Sequence, residues 1–344
     1  MGWNEHFEQQ ASELTDRPYA FGRVAAVFKD IVTLLTGDGA VTAAVSGRFR
    51  HETLATGIYP AIGDFVAFTI TDREDRATIH HVLRRTTCFS RKVAGQRIEE
   101  QVMAANVDLV CLVMAAGHDF NPRRLERFLT AIWESGAEPV VLLSKMDLCD
   151  DPGRILAEAR ASAPLVPIVA VSAASGSGMD AVRELLTRNG VARTLVMTGA
   201  SGVGKSTLIN RLLGSQKMAV QAVRDGDERG RHTTTHRELH VVPTGGLLID
   251  TPGIRELQLW SGDTGLADAF ADIEDLSVAC RFRDCRHDRE PGCAVQAAIA
   301  LGTLEPQRLA NFRKLERELV WQAEKEARQA RAQGSKQSRR ILVK

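Results

Sequence analysis

The residues with the clearest chemistry are eight consecutive ones that form a glycine-rich phosphate-binding pattern: Gly199, Ala200, Ser201, Gly202, Val203, Gly204, Lys205 and Ser206. Glycines let such a loop curl so that successive backbone N–H groups point at phosphate oxygens, and the helix that follows adds the partial positive charge of its N-terminus. Lys205 would reach the β- and γ-phosphates, and the Ser206 hydroxyl would bind Mg²⁺. Thr207, the next residue, is also expected to bind the nucleotide. The pattern predicts binding of a nucleoside triphosphate.

A second set of residues is suited to reading the base. Ser144, Lys145, Met146 and Asp147 follow the apolar run 140–143. The carboxylate of Asp147 can accept hydrogen bonds from N1–H and the exocyclic amine of guanine, and the stem of Lys145 can lie along the base. Adenine has an acceptor at the first position and no amine, so it would leave the carboxylate unpaired. These residues therefore predict that the bound nucleotide carries guanine.

The guanine O6 atom needs a donor as well. Ser172 and Ala173 follow another apolar run, 168–171, and a backbone N–H at this point could meet O6. We therefore count both residues among those that bind the nucleotide.

Two segments after the phosphate loop are predicted to face the γ-phosphate. Asp250 and Gly253 form an Asp-x-x-Gly pattern after an apolar run. Asp250 would hold Mg²⁺ through water and the Gly253 N–H would approach the γ-phosphate. In segment 230–235, Thr235 is the predicted second Mg²⁺ ligand and Thr234 is the alternative.

The residue that would activate water is less clear. Many GTPases have Gln directly after Asp-x-x-Gly, but here the position is Ile254. His232 is the nearest polar candidate, because its near-neutral pKa suits orienting water or accepting its proton. The alternative, that His232 only contacts RNA or a loop, stays open. Either way, we expect slow intrinsic turnover.

The elements that must position these residues alternate between strands and helices. Apolar runs at 107–113, 140–143, 168–171, 194–198 and 247–250 read as buried strands, and 123–135 and 207–213 as helices. Such alternation is typical of a doubly wound parallel sheet, in which ligands bind at the carboxyl ends of the strands. The predicted base-reading residues, the phosphate loop and the Asp-x-x-Gly pattern each lie at the end of one of these strands.

The N-terminal part has a different pattern. Residues 1–18 read as a mobile, partly helical tail, and short strands at 21–28, 31–35, 41–45, 64–70 and 78–83 suggest a small barrel. Basic residues accompany Phe89 there: His80, His81, Arg84, Arg85, Arg91 and Lys92. This mixture suits RNA, although a solvated charged face explains it equally well.

Four residues near the C-terminus are suited to a metal: Cys280, Cys285, His287 and Cys293. Three thiols and one imidazole fit tetrahedral, structural Zn²⁺, and buried free thiols are the alternative. Four arginines nearby offer a surface for RNA: Arg281, Arg283, Arg286 and Arg289.

The C-terminal segment reads as a helix from Pro306, with an apolar stripe formed by Leu309, Phe312, Leu315 and Leu319. Beyond residue 326 the chain is basic and low in apolar residues. This part is predicted to be a disordered tail that either approaches phosphate or only adds solubility.

Composition limits the function classes. With 344 residues, 44% of them hydrophobic and 25% charged, the chain has the make-up of a globular protein with two or three domains. Its net charge of +1 means that nucleic acid would be bound by local basic patches. No apolar run is long enough for a membrane span, residues 1–18 are polar, and the cysteines suit reduced thiols. We expect a cytoplasmic protein, a monomer, without a membrane partner.

The order of the motifs is unusual, since the base motif comes first and the phosphate loop third. This order resembles the circularly permuted GTPases and, among them, the RsgA family. The likeness covers about residues 21–317 and is carried by 105–108 (Ala-Asn-Val-Asp), 230–235, 250–253 and the Cys/His cluster. One position departs from the family pattern: Ser144 stands where Asn usually contacts the base and braces the phosphate loop. Ser is shorter, so lower nucleotide affinity is expected.

The resemblance implies a multidomain protein with a tail (1–19), an OB-fold β-barrel (20–87), a circularly permuted α/β P-loop GTPase domain (88–275) and a zinc-binding, mostly α-helical domain (276–344). It implies one structural Zn²⁺, GTP/GDP with Mg²⁺, and the small ribosomal subunit with its rRNA as partner. The implied activity is GTP hydrolysis in late assembly of that subunit, activated by the subunit. The alternative is a nucleotide-gated RNA-binding module in which hydrolysis is incidental.

Overall fold

The computed structural model describes the chain apart from residues 29–30, 48, 50–58, 71–75, 94–98, 118–119, 215–236, 252–262 and 342–344. It divides into two compact units. The first unit comprises Met1–Phe120, Ser135–Ala157 and Val166–Leu257, and the second comprises Asn121–Glu134, Glu158–Leu165 and Gln258–Lys344. The boundaries of these units do not coincide with those of the domains predicted from the sequence. The predicted domain boundaries therefore stay predictions.

The N-terminal residues form a packed helix. Helix α1 (Glu5–Glu13) begins at Asn4, whose side-chain oxygen accepts hydrogen bonds from the backbone of His6 and Phe7. Phe7 is buried and its ring lies 4.3 Å from that of Phe65, centroid to centroid, with Trp3 beside both. The predicted helix is present, but the expectation of a mobile tail is not supported, because this aromatic cluster holds the helix against the barrel.

Five strands form the predicted barrel: β1 (Ala20–Phe28), β2 (Ile31–Thr36), β3 (Gly39–Val45), β4 (Phe65–Thr69) and β5 (Ala77–Val82). They pair in the order β1-β2-β3-β5-β4, and β4 pairs again with β1, which closes the sheet. Only the β3–β5 pair is parallel. Alternate side chains fill the interior, among them Val24, Val32, Leu34, Phe68 and Ile79.

An antiparallel hairpin follows the barrel. It consists of β6 (Cys88–Val93) and β7 (Glu99–Ala105). The sequence reading did not anticipate this hairpin, because its strands alternate basic, acidic and apolar residues and lack a clear period.

The part predicted to bind the nucleotide contains six strands of the main sheet and a separate two-stranded ribbon. The six strands are β8 (Leu109–Ala115), β9 (Glu138–Ser144), β10 (Ile168–Ala170), β13 (Thr194–Thr198), β14 (Glu238–Val241) and β15 (Leu247–Asp250). The ribbon consists of β11 (Thr187–Arg188) and β12 (Val191–Ala192). Its helices are α2 (Pro122–Glu134), α3 (Pro152–Ser162), α4 (Met179–Leu185) and α5 (Lys205–Leu213). Strands β10-β9-β8-β13-β15 are parallel in that order, and β14 adds an antiparallel strand. The predicted parallel sheet is confirmed.

The barrel and the parallel sheet are one continuous structure. Strand β1 pairs with β14 at Ala26 and Glu238, so both belong to an eleven-stranded sheet. Beside this pair, the buried guanidinium of Arg23 donates hydrogen bonds to three backbone carbonyls and one hydroxyl: Met1 O (2.7 Å), Gly63 O (3.1 Å), Asn106 O (2.6 Å) and Thr194 Oγ1 (2.8 Å).

Close backbone contact completes this joint. Gly63 has φ +91°, and a Cβ there would stand 2.0 Å from the carbonyl oxygen of Ala105. Asn106 has φ 54°, and its side chain bonds the backbone of Gly63 and Thr86. The Ala-Asn-Val-Asp motif is therefore the connection between the barrel and the sheet, since Asp108 also accepts a hydrogen bond from the Thr194 N–H (2.6 Å).

The second unit is helical. Besides α2 and part of α3 it contains α6 (Asp263–Ala269), α7 (Ala271–Ser277), α8 (Ala294–Ala300) and the long α9 (Pro306–Ile341). The predicted apolar stripe of α9 is buried. The helix continues through Ile341, which corrects the expectation of disorder beyond residue 326: Arg, Gln and Ala dominate there and favour helix. Among the described helices, none has both the length and the apolarity that a membrane crossing needs.

Arg308 organises the second unit. All five of its N–H donors are used, by Asp272 (2.9 and 2.7 Å), Glu126 (3.2 Å) and the carbonyls of Ser162 (2.8 Å) and Ala269 (2.7 Å). Its guanidinium also lies 4.2 Å from the centre of a phenylalanine ring, that of Phe270. One side chain thus links α2, α6, α7 and α9.

We predict that Arg23→Met lowers the free energy of unfolding by about 3 kcal/mol or more, because the carbonyls of Gly63 and Asn106, both in buried bonds, lose a charged donor. The control is Arg17→Met, an exposed arginine paired with Asp16, for which a change within about 0.5 kcal/mol is expected. Chemical unfolding followed by circular dichroism measures both. Equal losses in the two variants would contradict the structural role given to Arg23.

A pH dependence follows from Glu126. Burial raises its pKa from 4.5 to about 7, although Arg308 and Asn311 act in the opposite direction. Between pH 4.5 and 7 the folded protein therefore holds a proton at this site that the unfolded chain has lost, and the free energy of unfolding falls as pH rises. We expect Glu126→Gln to make this fall smaller, because Asp250, whose pKa burial also raises to about 7, contributes in the same direction. The exposed control Glu305→Gln should retain the full fall. Unfolding curves across this range measure it, and identical pH profiles for all three proteins would rule out the effect.

Candidate functional site

The phosphate loop connects β13 to α5. Gly199, Gly202 and Gly204 have φ angles of +143°, +81° and +98°, which favour glycine. A Cβ on Gly199 would stand 2.2 Å from the carbonyl oxygen of Val113 in the neighbouring strand. The loop therefore curls tightly against the sheet edge, as the phosphate-binding pattern requires.

Lys205 opens α5 and is buried. Its Nζ donates hydrogen bonds to the carbonyls of Gly199 (2.9 Å) and Ala200 (2.6 Å), so the ammonium lies inside the curve of the loop. Burial lowers the pKa of Lys205 to about 8, and the charge of Asp250 opposes this shift. The ammonium group is consequently held where phosphate oxygens would be bound. Ser206 and Thr207 continue the first turn of the helix and are partly exposed.

Asp250 ends β15, directly beside β13, where it pairs with Met197. Burial raises the pKa of Asp250 to about 7, while Lys205 and the Thr251 N–H lower it. Its Oδ2 atom is buried and has no hydrogen-bond partner among the described residues. A buried carboxylate oxygen without a partner, next to a phosphate loop, fits a site for a hydrated Mg²⁺.

Thr251 is a supporting residue that the sequence reading missed. Its hydroxyl donates to the carbonyl of Met197 (2.8 Å) and so ties the end of β15 to β13. Its place in the sequence could have indicated this role, since Thr251 directly follows the Asp of the Asp-x-x-Gly pattern.

The predicted base-reading residues follow β9. Lys145 has φ 57°, an uncommon conformation for a residue with a side chain, and a short 3₁₀ helix, Met146–Leu148, comes next. The Met146 N–H donates to Val171 O (3.3 Å), which ties this turn to the segment after β10. Asp147 is exposed at the sheet edge and Lys145 is half-buried.

Ser144 is buried at the end of β9. Its Oγ lies 2.6 Å from the carbonyl oxygen of Val203 in the phosphate loop and 3.2 Å from that of Met114 in β8. Ser144 therefore connects the base-reading turn with the phosphate loop.

The segment after β10 contains the two residues predicted to meet the base oxygen, Ser172 and Ala173. The Ser172 N–H donates to Ser177 O (2.9 Å), and the Ser172 hydroxyl accepts from the Ser175 N–H (3.1 Å). The Ala173 N–H has no hydrogen-bond partner within the described parts of the chain. Of the two predicted residues, Ala173 is therefore the one whose N–H is available to a ligand.

The parallel strands bring most predicted residues to one edge. Ser172, Ser144, the phosphate loop and Asp250 follow β10, β9, β13 and β15 at their carboxyl ends. Ser201, in the middle of the phosphate-binding pattern, is exposed. His232, Thr234, Thr235 and Gly253 lie outside the described residues, so their predicted roles stay predictions.

The Cys/His cluster is in the second unit, after α7. The ligand atoms of Cys280, Cys285, His287 and Cys293 all lie within 4.8 Å of one another. Cys280 Sγ is 3.9 Å from Cys293 Sγ and 3.6 Å from His287 Nδ1, and the Cys293 Sγ–His287 Nδ1 distance is 3.5 Å. A tetrahedral Zn²⁺ with its usual bond lengths needs separations of about 3.5–3.8 Å.

The electrostatics of the cluster also favour a cation. Burial and the neighbouring thiols of Cys293 and Cys280 raise the pKa of Cys285 to about 11. The Ala294 and Gln296 N–H groups donate to the sulfurs of Cys280 and Cys293 (3.4 Å each). Thiols that repel each other as thiolates, and that receive N–H bonds, are suited to a divalent metal.

A groove of about 870 Å³ lies beside the cluster, and its lining carries charges of both signs. Four arginines line it together with four carboxylates: Arg283, Arg286, Arg313 and Arg317, with Glu274, Asp284, Asp288 and Glu316. Glu290 accepts hydrogen bonds from three backbone N–H groups of the adjoining loop and so fixes its shape.

The chain was compared with known proteins. A family model described as RsgA GTPase matches residues 82–260. The "Small ribosomal subunit biogenesis GTPase RsgA" of Opitutus terrae is 43% identical over 333 residues, covering 94% of this chain and 90% of that protein. The "Small ribosomal subunit biogenesis GTPase RsgA 1" of Oceanobacillus iheyensis is 45% identical over 301 residues, with coverages of 87% and 85%.

Two solved structures have a fold similar to that of this chain. The crystal structure of YjeQ from Thermotoga maritima matches with a TM-score of 0.66 at 27% identity, over 88% of this chain and 99% of that one. YloQ, described as a circularly permuted GTPase, matches with a TM-score of 0.62 at 22% identity, over 91% and 98%. With the permuted motif order and the site geometry above, these matches show that the chain belongs to the RsgA GTPase family.

Proposed function

We propose that the protein is a GTPase that binds the small ribosomal subunit and acts in its late maturation, as a monomer in the cytoplasm. The observation that carries the proposal is the buried pair of Lys205 and Asp250 at the phosphate loop, with the base-reading turn bonded to the same loop. The names of its relatives supply the ribosomal context.

The reaction is hydrolysis of GTP to GDP and phosphate. Water attacks the γ-phosphorus in line, the bond from that phosphorus to the β,γ-bridging oxygen breaks, and the proton of water passes to phosphate or solvent. The Lys205 ammonium and the loop N–H groups stabilise the charge on the phosphate oxygens. Mg²⁺, when bound by Ser206, Thr235 and, through water, Asp250, neutralises further charge. His232 orients the water or contacts RNA, and Gly253 binds the γ-phosphate.

The remaining surfaces are assigned to the subunit. The barrel belongs to a scaffold that often binds oligonucleotides, and the arginines beside the Cys/His cluster are suited to the phosphates of rRNA. Zn²⁺ bound by Cys280, Cys285, His287 and Cys293 would be structural, because four protein ligands leave no open position.

The decisive experiment measures GTP hydrolysis with and without purified small ribosomal subunits. We expect slow turnover alone, because Ile254 cannot orient water, and acceleration of at least tenfold by small subunits. Large subunits serve as the matched control and should have no effect. Turnover unaffected by small subunits, with RNA binding that depends on nucleotide, would instead support a nucleotide-gated RNA-binding module.

Asp147 is predicted to select guanine. Asp147→Asn replaces an acceptor by a donor, so preference should shift from guanine to xanthine nucleotides by about tenfold or more. Exposed Asp150, three residues on, provides the control Asp150→Asn, which should keep the original preference. Titration with GDP and XDP measures the ratio. Equal binding of ADP and GDP by the unaltered protein would end the assignment.

The cluster is predicted to hold one Zn²⁺ per chain. Elemental analysis should find one equivalent, and Cys285→Ala should lose it and unfold the second unit, while GDP binding is largely retained. Cys149→Ala, a half-buried cysteine outside the cluster, is the control and should keep the metal. Full metal content in Cys285→Ala would contradict this ligand set.

A further inference from the structure

Arg211 lies on helix α5 and contacts the loop that follows β10. This loop, residues 172–178, contains the N–H predicted to meet the guanine O6 atom and is called the O6 loop below. The Nη2 atom of Arg211 donates a hydrogen bond to the carbonyl of Ala174 (2.7 Å). The guanidinium also lies beside Gly176, where an added Cβ would stand 3.3 Å from Arg211 Nη1. The helix that begins at the phosphate loop is therefore bonded to the O6 loop.

The O6 loop is closed by its own hydrogen bonds, which converge on Ser172. The Gly176 N–H donates to the Ser172 carbonyl (2.8 Å), and the Ser172 N–H donates to the Ser177 carbonyl (2.9 Å). The Ser175 N–H donates to the Ser172 hydroxyl (3.1 Å). Gly176 has φ +88°, a left-handed conformation that favours glycine and lets the chain turn back at this point.

This closure sets the direction of the Ala173 N–H. The Ser172 carbonyl and the Ala173 N–H belong to one planar trans peptide group and point in opposite directions. The carbonyl points into the loop, because it accepts from the Gly176 N–H. The Ala173 N–H therefore points out of the loop, and it stays available to a ligand only while the loop is closed in this way.

Arg211 holds the outer side of the same loop. The Ala174 carbonyl and the Ser175 N–H share a peptide group, and both are bonded, the first to Arg211 and the second to the Ser172 hydroxyl. Ala174 and Ser175 are exposed to solvent. Without Arg211, this peptide group would be held from one side only, and water would compete for its carbonyl. The loop would then open more often, and the Ala173 N–H would lose its fixed direction.

Helix α5 gives this contact a fixed position relative to the phosphate loop. Lys205 is its first residue and Arg211 comes six residues later, which corresponds to about 9 Å along a helix axis. The buried residues Leu208, Ile209 and Leu212 hold the helix against the core of the sheet. One rigid element thus carries both the ammonium predicted to bind the phosphates and the guanidinium that holds the O6 loop.

We propose that Arg211 is a positioning residue for base recognition. By bonding the Ala174 carbonyl and lying against Gly176, it keeps the O6 loop closed, so that the Ala173 N–H faces an acceptor at position 6 of the purine. It acts on the bond to the base oxygen and not on the bonds that Asp147 is predicted to make. The inference rests on the proposed guanine-nucleotide function.

The test compares three ligands by calorimetric titration: GDP, 6-thio-GDP and inosine diphosphate. In 6-thio-GDP a weakly accepting sulfur replaces O6, while N1–H and the amine are kept for Asp147. Inosine diphosphate keeps O6 and lacks the amine. Arg211→Ala should weaken GDP binding about fivefold, as expected for one lost hydrogen bond. The preference for GDP over 6-thio-GDP should fall by about the same factor, and the preference for GDP over inosine diphosphate should stay unchanged.

Two further variants are controls. Arg211→Lys keeps a charged donor at this position and should restore most of the preference for GDP over 6-thio-GDP. Arg183→Ala removes a positive charge from the helix that follows the O6 loop, where the ion-pair partner is Asp180, and should leave all three affinities unchanged. Hydrogen exchange of the Gly176 amide, a direct measure of loop closure, should become faster in Arg211→Ala and not in Arg183→Ala.

Several results would overturn the inference. One is an unchanged preference for GDP over 6-thio-GDP in Arg211→Ala, and another is equal weakening of all three ligands, which indicates a general effect of charge. A lower unfolding temperature of Arg211→Ala without nucleotide would assign this exposed residue to folding instead. If the unaltered protein binds GDP but does not prefer it to 6-thio-GDP, only this inference fails. If the unaltered protein binds no guanine nucleotide, the proposed function itself fails.

Discussion

The burial of Arg23 is the constraint on which the first unit depends. Burial lowers its pKa to about 10, and the carboxylates of Asp108 and Asp64 oppose that shift, so the guanidinium stays charged at neutral pH. A buried charge is tolerated only when its donors are satisfied. Its partners come from the chain terminus, the barrel and the start of β13. These segments can therefore satisfy the charge only when they are assembled together.

Charged groups are also buried at the candidate nucleotide site, but there their hydrogen-bonding capacity is not fully satisfied. Lys205 and Asp250 are both buried, and burial moves the pKa of each toward neutrality, to about 8 and about 7. Unlike Arg23, Asp250 keeps an oxygen without a partner among the described residues. Buried groups with unsatisfied bonding capacity cost stability. That cost is expected at a site that is completed by a charged ligand, because phosphate and a cation then supply the missing interactions.

Much of this arrangement could be predicted from the sequence, because strands that end in chemically distinctive residues are strong local signals. The phosphate loop and the strand ahead of Asp147 follow from pattern alone. The packing of Phe7 did not, since two aromatic residues, Trp3 and Phe7, in an otherwise polar segment are too few to define a period. The left-handed backbone of Asn106 and the bond from Ser144 to Val203 were also beyond prediction. They depend on which residues the fold brings together, and no spacing along the chain encodes that.

The second unit takes in three separate segments of the chain. One is the segment that follows Asp250, as the sequence suggested. The others are α2, between β8 and β9, where Glu126 bonds Arg308, and residues 158–165, between β9 and β10. Strand β9 leads directly to Ser144. The chain therefore enters and leaves the second unit on both sides of the strand that carries Ser144, and not only after Asp250. Residues close in sequence to the predicted base-reading turn thus belong to the helical unit that Arg308 holds together.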